Sequence, residues 1–442
     1  MRRLPPAART IALTAATLLA VPLPPSIASP AEAPVTTAKL STPDPIVSAT
    51  GVRGPKPGET TITWQTTGRY TDYYKITTAL TAFGGRSTPP VGRHSRTFVA
   101  YGGSRRSLTL TAAQTASAGA GLRTGRRLFF RIAAVNKGTS GSAVRRFPSL
   151  RHTTIAGHRS TMSGTQLRFA EYNVRVRTSD VPGHPWWRRQ RLVAARIARA
   201  HPAVVGLQEL MPGMWTSHDG GVGLAASLRR AGAGSYRLTR RTAYWQRAGQ
   251  DTRILYDTNR LQMTSSCPQT RPSCYILIPD PQHRRVAAYA RFRDRASGKS
   301  FYFVSAHLSN GNDSATDALR GRQAQAINAG IRKVNRHGLP VVIATDANSS
   351  QTSKGVDAPH SVLLQAGWYN TIAAAHTVNV RYDSVNKFRL PEKPSAWGFG
   401  SMFDTIMTLG MPGADLFKQV LTGAPGPSDH NLIFSDVRLP RP

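Results

Sequence analysis

A set of short stretches in this chain places a carboxylate, a carboxamide or an imidazole at or just beyond one end of an apolar run. "FAEYNV" presents Asn173, "VVGLQEL" Glu209, "FYFVSAHL" His307, "VVIATDAN" Asp346 and Asn348, "FDTIM" Asp404, and "SDHNLIF" Asp429 with His430. Strand ends along one edge of a sheet are where sites are built. Carboxylates, amides and imidazoles gathered there are the groups of acid–base chemistry and of hard-cation binding. Singly, each has a structural explanation: an acidic residue after a strand caps a turn, a D-x-N is an Asx turn, and a histidine within "SAHLSNG" can be a satisfied core residue. Their recurrence on equivalent parts of successive strands is what sets them apart. Asp429 and His430 pose a further question, because neighbours in a regular strand point to opposite faces. If "PSDH" is a loop ahead of the last strand, both can face one crevice.

The elements that must carry these residues read as follows. "LRFAEYNV", "AVVGLQEL", "RILYD", "VAAYARF", "FYFVSAHL", "PVVIATDAN", "FDTIMTLG" and "LIFSDVRL" are continuous apolar runs, the pattern of strands covered on both faces. Between them, "RRQRLVAARIARA" has helical periodicity, with Leu192, Val193, Ile197 and Ala198 opposite a basic face, and "ALRGRQAQAINAGIRKVNRHG" is a second helical segment. A layered α/β sandwich follows. The region before it differs: "TTITWQT", "YYKITTAL", "RTFVAY", "SLTLTA" and "LFFRIAAVN" are short strands separated by Gly, Pro and Thr turns with no helices between, which predicts an all-β, immunoglobulin-like sandwich. "GLRTGRRLFFRIAAVNKGTSGSA" resembles the closing half of a fibronectin type III module through Leu122, Gly125, Phe130, Arg131, Ala134, Asn136 and Gly138, and departs from it at Leu128, where that family usually has Tyr.

At 442 residues the chain is long enough for two or three domains. Arg2, Arg3 and Arg9, the apolar "IALTAATLLAVPL" and the small-residue "AEA" at 31–33 have the layout of a secretory signal peptide over residues 1–33. The expected organisation is then a β-sandwich over 41–150, a polar linker over 151–166 and the α/β domain over 167–442. No run is apolar enough to span a bilayer, so a secreted, extracellular protein is expected. Cys267 and Cys274, the only two cysteines, lie on one Pro-containing loop and would pair in an oxidising compartment; further ligands of zinc-like spacing are missing nearby. With 58 basic and 22 acidic residues the net charge is +36, and the regions before and after Thr161 are both strongly basic. Such a field favours polyanionic partners: nucleic acid, an anionic lipid surface or a phosphate-bearing wall polymer. Arg is scattered rather than clustered, which fits a compositional bias equally well. Nothing signals oligomerisation, and a monomer is expected.

From Leu167 to the C-terminus the ordered elements "YNVR", "LQEL", "SAHL", "TDAN" and "SDH" resemble the endonuclease/exonuclease/phosphatase superfamily. Thr345 replaces the Gly that usually precedes the D-x-N, and Met402-Phe403 replaces the usual polar-aliphatic pair before the later Asp. The resemblance implies a four-layered α/β/β/α sandwich and a metal-dependent phosphoesterase. Within it, Glu209 and Asp429 would serve a metal, expected to be Mg²⁺ with Mn²⁺ or Ca²⁺ as alternatives. Asn173 and Asn348 would donate to phosphate oxygens without adding repulsive charge, with Arg253 on the substrate side. His430 would be the general base, its tautomer fixed by Asp404, with Asp346 and His307 sharing the orientation of water and the protonation of the leaving oxygen. A nuclease is the favoured activity. A sphingomyelinase-like lipid phosphodiesterase or a phosphomonoesterase is the alternative within the fold, and a non-catalytic basic adhesion protein the alternative outside it; the latter predicts loss of an essential group, yet Glu209, Asp346, Asn348, Asp404 and His430 are all present. Trp186 and Trp187 in "GHPWWRRQ" could stack bases, but tryptophans beside the start of an amphipathic helix are expected to pack it onto the sheet. The segment "TVNVRYDSVNKFRLPEKPSAWGFG" is expected to form a rim loop that could set specificity.

Overall fold

The structure of the protein is a computed structural model. It describes residues 163–440 except 178–181, 212, 217–222, 240–251, 266–273, 284, 351–356 and 395–399, and before them residues 43, 46 and parts of 48–155. Of two compact units, Met1–Lys39 and Leu40–Pro442, the first lies wholly outside the described residues, and with it the expected signal peptide.

Eight strands come first: β1 (Ser48–Arg53), β2 (Thr60–Gln65), β3 (Tyr73–Ala79), β4 (Arg96–Tyr101), β5 (Ser107–Leu110), β6 (Arg127–Asn136), β7 (Arg145–Arg146) and β8 (Leu150–Ile155). They form two antiparallel sheets, β1-β2-β5 and β4-β3-β6-β7, with β8 also on β6. Ile62, Trp64, Tyr74, Ile76, Phe130 and Ile132 bury together between them. β8 is a correction: residues 151–155 were expected to begin a linker, but "RHTTI" ends in three β-branched residues, which favour strand, and pairs with β6.

The strands that follow are β9 (Gln166–Asn173), β10 (Val204–Gln208), β11 (Tyr236–Leu238), β12 (Arg253–Asp257), β13 (Leu261–Met263), β14 (Tyr275–Leu277), β15 (Val286–Asp294), β16 (Ser300–His307), β17 (Val341–Asp346), β18 (Tyr369–Asn370), β19 (His376–Val378), β20 (Asp404–Leu409), β21 (Leu416–Val420) and β22 (Leu432–Arg438). The helices are α1 (Trp186–Ala200), α2 (Gly223–Arg230), α3 (Ser314–Val334) and α4 (Ala358–Gln365). One sheet runs β11-β12-β10-β9-β22-β21-β19, the other β13-β15-β16-β17-β20-β18 with β14 also on β15.

Alternation along the strands decides what each face meets. In β9, Leu167 and Phe169 enter the core between the sheets while Ala170 and Tyr172 pack with Val193 and Ile197 of α1. In β17, Val342 and Ala344 face the first sheet while Val341 and Ile343 pack with Ala324, Ile327 and Ile331 of α3. The layers therefore run helix, sheet, sheet, helix. Phe169 meets Phe301 edge-on, with centroids 5.4 Å apart. Each such fully buried ring contributes on the order of 2–3 kcal/mol through area removed from water. α3 is capped by Asp313, whose carboxylate accepts from the Thr316 amide, and carries Arg332 and Lys333 in its last turn, where they oppose the helix dipole.

The sheets approach closely at Gly206 of β10, where an added Cβ would lie 2.8 Å from the Ala344 Cβ of β17. Gly206→Ala should therefore destabilise the protein by about 1–3 kcal/mol through overpacking. Urea denaturation checks this; an unchanged midpoint would mean that the sheets can yield at this point.

Candidate active site

The face that is apolar deep between the sheets turns polar at its last one or two positions. After Phe169, β9 continues on that face with Glu171 and Asn173; after Phe301 and Phe303, β16 continues with Ser305 and His307; after Val342 and Ala344, β17 ends on Asp346. β16 and β17 are parallel with His307 opposite Asp346, and antiparallel β20 begins with Asp404 opposite Asp346. Register alone thus sets His307, Asp346 and Asp404 side by side on three neighbouring strands.

The first sheet answers from across the gap. Glu209 follows β10 with φ 61°, a left-handed turn that breaks the strand. Its Oε2 accepts from the Val176 amide (2.8 Å) and its Oε1 from Asn173 Nδ2 (3.1 Å). The other Nδ2 hydrogen of Asn173 goes to Asp346 Oδ2 (3.0 Å). Asn173 was expected to donate to phosphate; in this structure both hydrogens of its amide go to carboxylates, one on each side of the gap between the sheets.

"PSDH" is irregular chain ahead of β22, so strand alternation does not apply there. His430 turns Nδ1 to both oxygens of Asp404, each at 3.0 Å, with Nε2 3.9 Å from Asp346 Oδ2. Asp429 is less buried and pairs with Arg175 Nη1 at 3.4 Å. Ser428 fastens the loop, its hydroxyl donating to the Asn173 carbonyl (2.7 Å) and accepting from the His430 amide (3.2 Å). Asn348, with φ 46°, has its amide hydrogen on Asp346 Oδ1 (2.9 Å) and its Nδ2 on the Leu308 carbonyl (3.0 Å). Arg253, at the start of β12, is buried and donates Nη2 to the Thr239 carbonyl (3.4 Å).

Several residues that sequence reasoning passed over support this cluster. Arg189 of α1 is buried, on the same helical face as Val193 and Ile197. It donates to the carbonyls of His184, Val174, Pro427 and Arg175, tying the loop after β9 to the loop before β22. Arg285 bonds the His307 carbonyl (3.1 Å) and Asp280 (3.0 Å). Ser384, in the expected rim segment, accepts from the Phe403 and Asp404 amides. Glu171 is wholly buried; no N–H or hydroxyl among the described residues reaches its carboxylate oxygens, and its side-chain hydrogen-bond neighbour is the Asp404 carboxyl. Its one sequence signal was that it shares a strand face with Phe169 and Asn173.

The electrostatics follow from this dry, acid-rich setting. Burial, then the charges of Asp404 and Asp346, hold the Glu171 carboxyl well above the usual carboxylate range. Burial and Asp404 push Asp346 up, against the pull of both histidines. Burial opposes a charged His430, but Asp404 and Asp346 outweigh it and hold the imidazole well above its ordinary value. For His307 burial wins over Asp346 and the pKa falls to about 3; its Nδ1 finds no partner among the described residues, and its Nε2 lies 3.5 Å from Asp346 Oδ2. Asp346, Asp404 and His430 each bring a ligand atom within 4.8 Å of the others, a spacing that could hold a metal ion.

No protein-family model matches this sequence, and no curated protein matches it. Among solved structures it is similar to an endonuclease/exonuclease/phosphatase from Bacteroides vulgatus, at 20% identity over 62% of this chain and 99% of that one, with a TM-score of 0.48. A mannosyl-6-phosphatase from Bacteroides thetaiotaomicron VPI-5482 aligns at 15% identity over 61% of this chain and 99% of that one, TM-score 0.47. D. rerio TDP2 complexed with single strand DNA product aligns at 19% identity, 62% and 99%, TM-score 0.43.

His307 gives a prediction for the metal-free protein. Between pH 6.5 and about 3 the unfolded histidine is protonated and the folded one is not. The unfolded state then binds more protons, so stability falls as pH drops through that window, by at most about 1.4 kcal/mol per pH unit from this group. Urea midpoints at pH 6.5 and 4.5 should differ less in His307→Gln than in the parent; equal differences would show that His307 can be protonated in place.

Proposed function

We propose that the chain is a divalent-metal-dependent phosphoesterase that hydrolyses phosphodiester bonds, with nucleic acid as its substrate class. One observation carries this reading: a continuous series of polar contacts across both sheets, from Asp404 to His430, from His430 and His307 to Asp346, and from Asp346 through Asn173 to Glu209. The net charge of +36 supports a polyanionic substrate.

The donor set suits a hard cation, since Glu209 is held by two hydrogen bonds that leave lone pairs on both oxygens. Glu209 and Asp429 would hold Mg²⁺, with Mn²⁺ or Ca²⁺ as alternatives. Bound there, such an ion supplies positive charge to phosphate oxygens and acidifies water. The protein does the rest. Asp404 engages Nδ1 of His430 and so fixes the tautomer that leaves Nε2 to take a proton from water. The same carboxylate stabilises the imidazolium once formed. Asp346, beside both imidazoles, orients water; His307, neutral through burial, donates a hydrogen bond without adding charge. Asn348 keeps one Nδ2 hydrogen beyond its bond to Leu308 and can offer it to a phosphate oxygen, and Arg253 is assigned to the substrate side.

We also assign a fibronectin type III-like sandwich to the region of β1–β8 and a cleaved signal peptide to 1–33, which makes the protein extracellular. In support, Cys274 is disulfide-bonded, as expected in an oxidising compartment; Cys267 lies outside the described residues. No helix among the described residues is long and apolar enough to cross a membrane.

Purified protein offered duplex DNA, RNA, sphingomyelin and inositol phosphates should hydrolyse a nucleic acid with Mg²⁺ and lose that activity in excess chelator. Turnover surviving full chelation would overturn the metal scheme. His430→Ala should cost roughly 10²–10⁴-fold in kcat, the usual contribution of a positioned acid–base group. Asp404→Asn removes the carboxylate charge that raises His430, so the ascending limb of its pH–rate profile should shift toward lower pH as total activity falls.

A further inference from the structure

The paired tryptophans at the start of α1 part company. Trp186 packs into the helix–sheet core at 8% exposure, while Trp187 stands 58% exposed with the Arg188 guanidinium 4.6 Å from its ring centre. Packing of the helix accounts for the first ring and not the second. Just before the helix, His184 stacks on Phe388 at 4.1 Å and 22°. Phe388 belongs to the rim segment, which is fastened to the site: the Asn386 and Lys387 amides both donate to the Asp429 carbonyl, and Asn386 Nδ2 donates to that of Ser428. Lys387 and Phe388 are consecutive left-handed residues, with φ 53° and 56°, a conformation that costs non-glycine residues about 1–2 kcal/mol each. Beside them Lys387 and Arg389 are exposed, and neither makes an ion pair among the described residues. One shoulder of the crevice thus interleaves aromatic rings with cations a few residues from Asp429.

We propose that Trp187, the His184–Phe388 stack, Lys387 and Arg389 form the seat of an unpaired nucleotide flanking the scissile phosphate, so that the preferred substrate is single-stranded nucleic acid. The assignment rests on the phosphodiesterase reading above. Rings bind the faces of bases and cations bind the phosphates between them. In a duplex the base faces are already covered by their neighbours, so an exposed ring gains nothing there. Membrane insertion needs a contiguous apolar patch, and of the exposed large hydrophobic residues among those described Trp187 alone belongs to the 184–187 and 387–389 stretches.

Binding in chelator, with hydrolysis off, tests the seat apart from the chemistry. Fluorescence anisotropy with a labelled single-stranded 12-mer, its duplex form and anionic phosphatidylglycerol vesicles should show Trp187→Ala weakening single-strand binding about tenfold and duplex binding less than twofold. Lys387→Ala/Arg389→Ala should weaken both nucleic acids and reduce the single-strand slope of log K against log salt by about 1.4, as two lost phosphate contacts require. Turnover of bis(4-nitrophenyl) phosphate with Mg²⁺ should be unchanged in both variants. Equal single-strand affinity in Trp187→Ala and parent, equal losses on single strand and duplex in that variant, or a loss confined to vesicles would each overturn the seat. Binding that behaves as expected in a parent protein that cleaves neither the oligonucleotide nor the aryl diester would uphold the seat and sink the phosphodiesterase reading.

Discussion

Everything at the mouth of the crevice depends on one amide. Asn173 Nδ2 has two hydrogens, and each goes to a carboxylate from a different place: Glu209 beyond its own sheet's neighbouring strand, and Asp346 on the opposite sheet. A neutral donor between two acids satisfies both without the desolvation cost of a buried cation. It also fixes the spacing between sheets at their polar end, while the aromatic packing of Phe169, Phe301 and Phe303 fixes it below. Aspartate at this position would put a third negative charge where two are already close; leucine would leave both carboxylates without their donor.

The charges beyond this amide fall into an order set by burial. Glu171, Asp346, Asp404, His307 and His430 are all withdrawn from water, and they cannot all be ionised. The pairing of His430 with Asp404 confines positive charge to one imidazole, and burial keeps His307 neutral. Glu171, lying deeper and beside the Asp404 and Asp346 carboxyls, is pushed toward its protonated form. The two imidazoles are therefore shifted in opposite directions, the one with a carboxylate on its Nδ1 upward and the other downward.

Much of this was legible in the sequence because strand alternation and apolar runs report directly on which residues reach a sheet edge. Asn173, His307, Asp346 and Asp404 all lie where their runs end. The role of Asn173 was not legible: an amide that donates to phosphate and one that bridges carboxylates have the same sequence, and only the opposite sheet distinguishes them. Arg189 was passed over for a related reason. Helical periodicity puts it in line with Val193 and Ile197 on the inward face, but its partners are backbone carbonyls, which leave no trace in a residue pattern. The rim segment carried no periodicity at all; its position follows from Asn386, Ser384 and a bridge between Val385 and His430.

The place of β22 has a consequence for the life of the chain. This strand lies between β9 and β21, in the interior of its sheet, and the loop that delivers His430 immediately precedes it. β9 and β21, the strands it joins, lie far apart in the chain. Until β22 occupies that interior slot, β9 and β21 lack their shared neighbour and Asp404 lacks the imidazole that His430 brings to it. Completion of the polar cluster is thus tied by strand order to completion of the sheet.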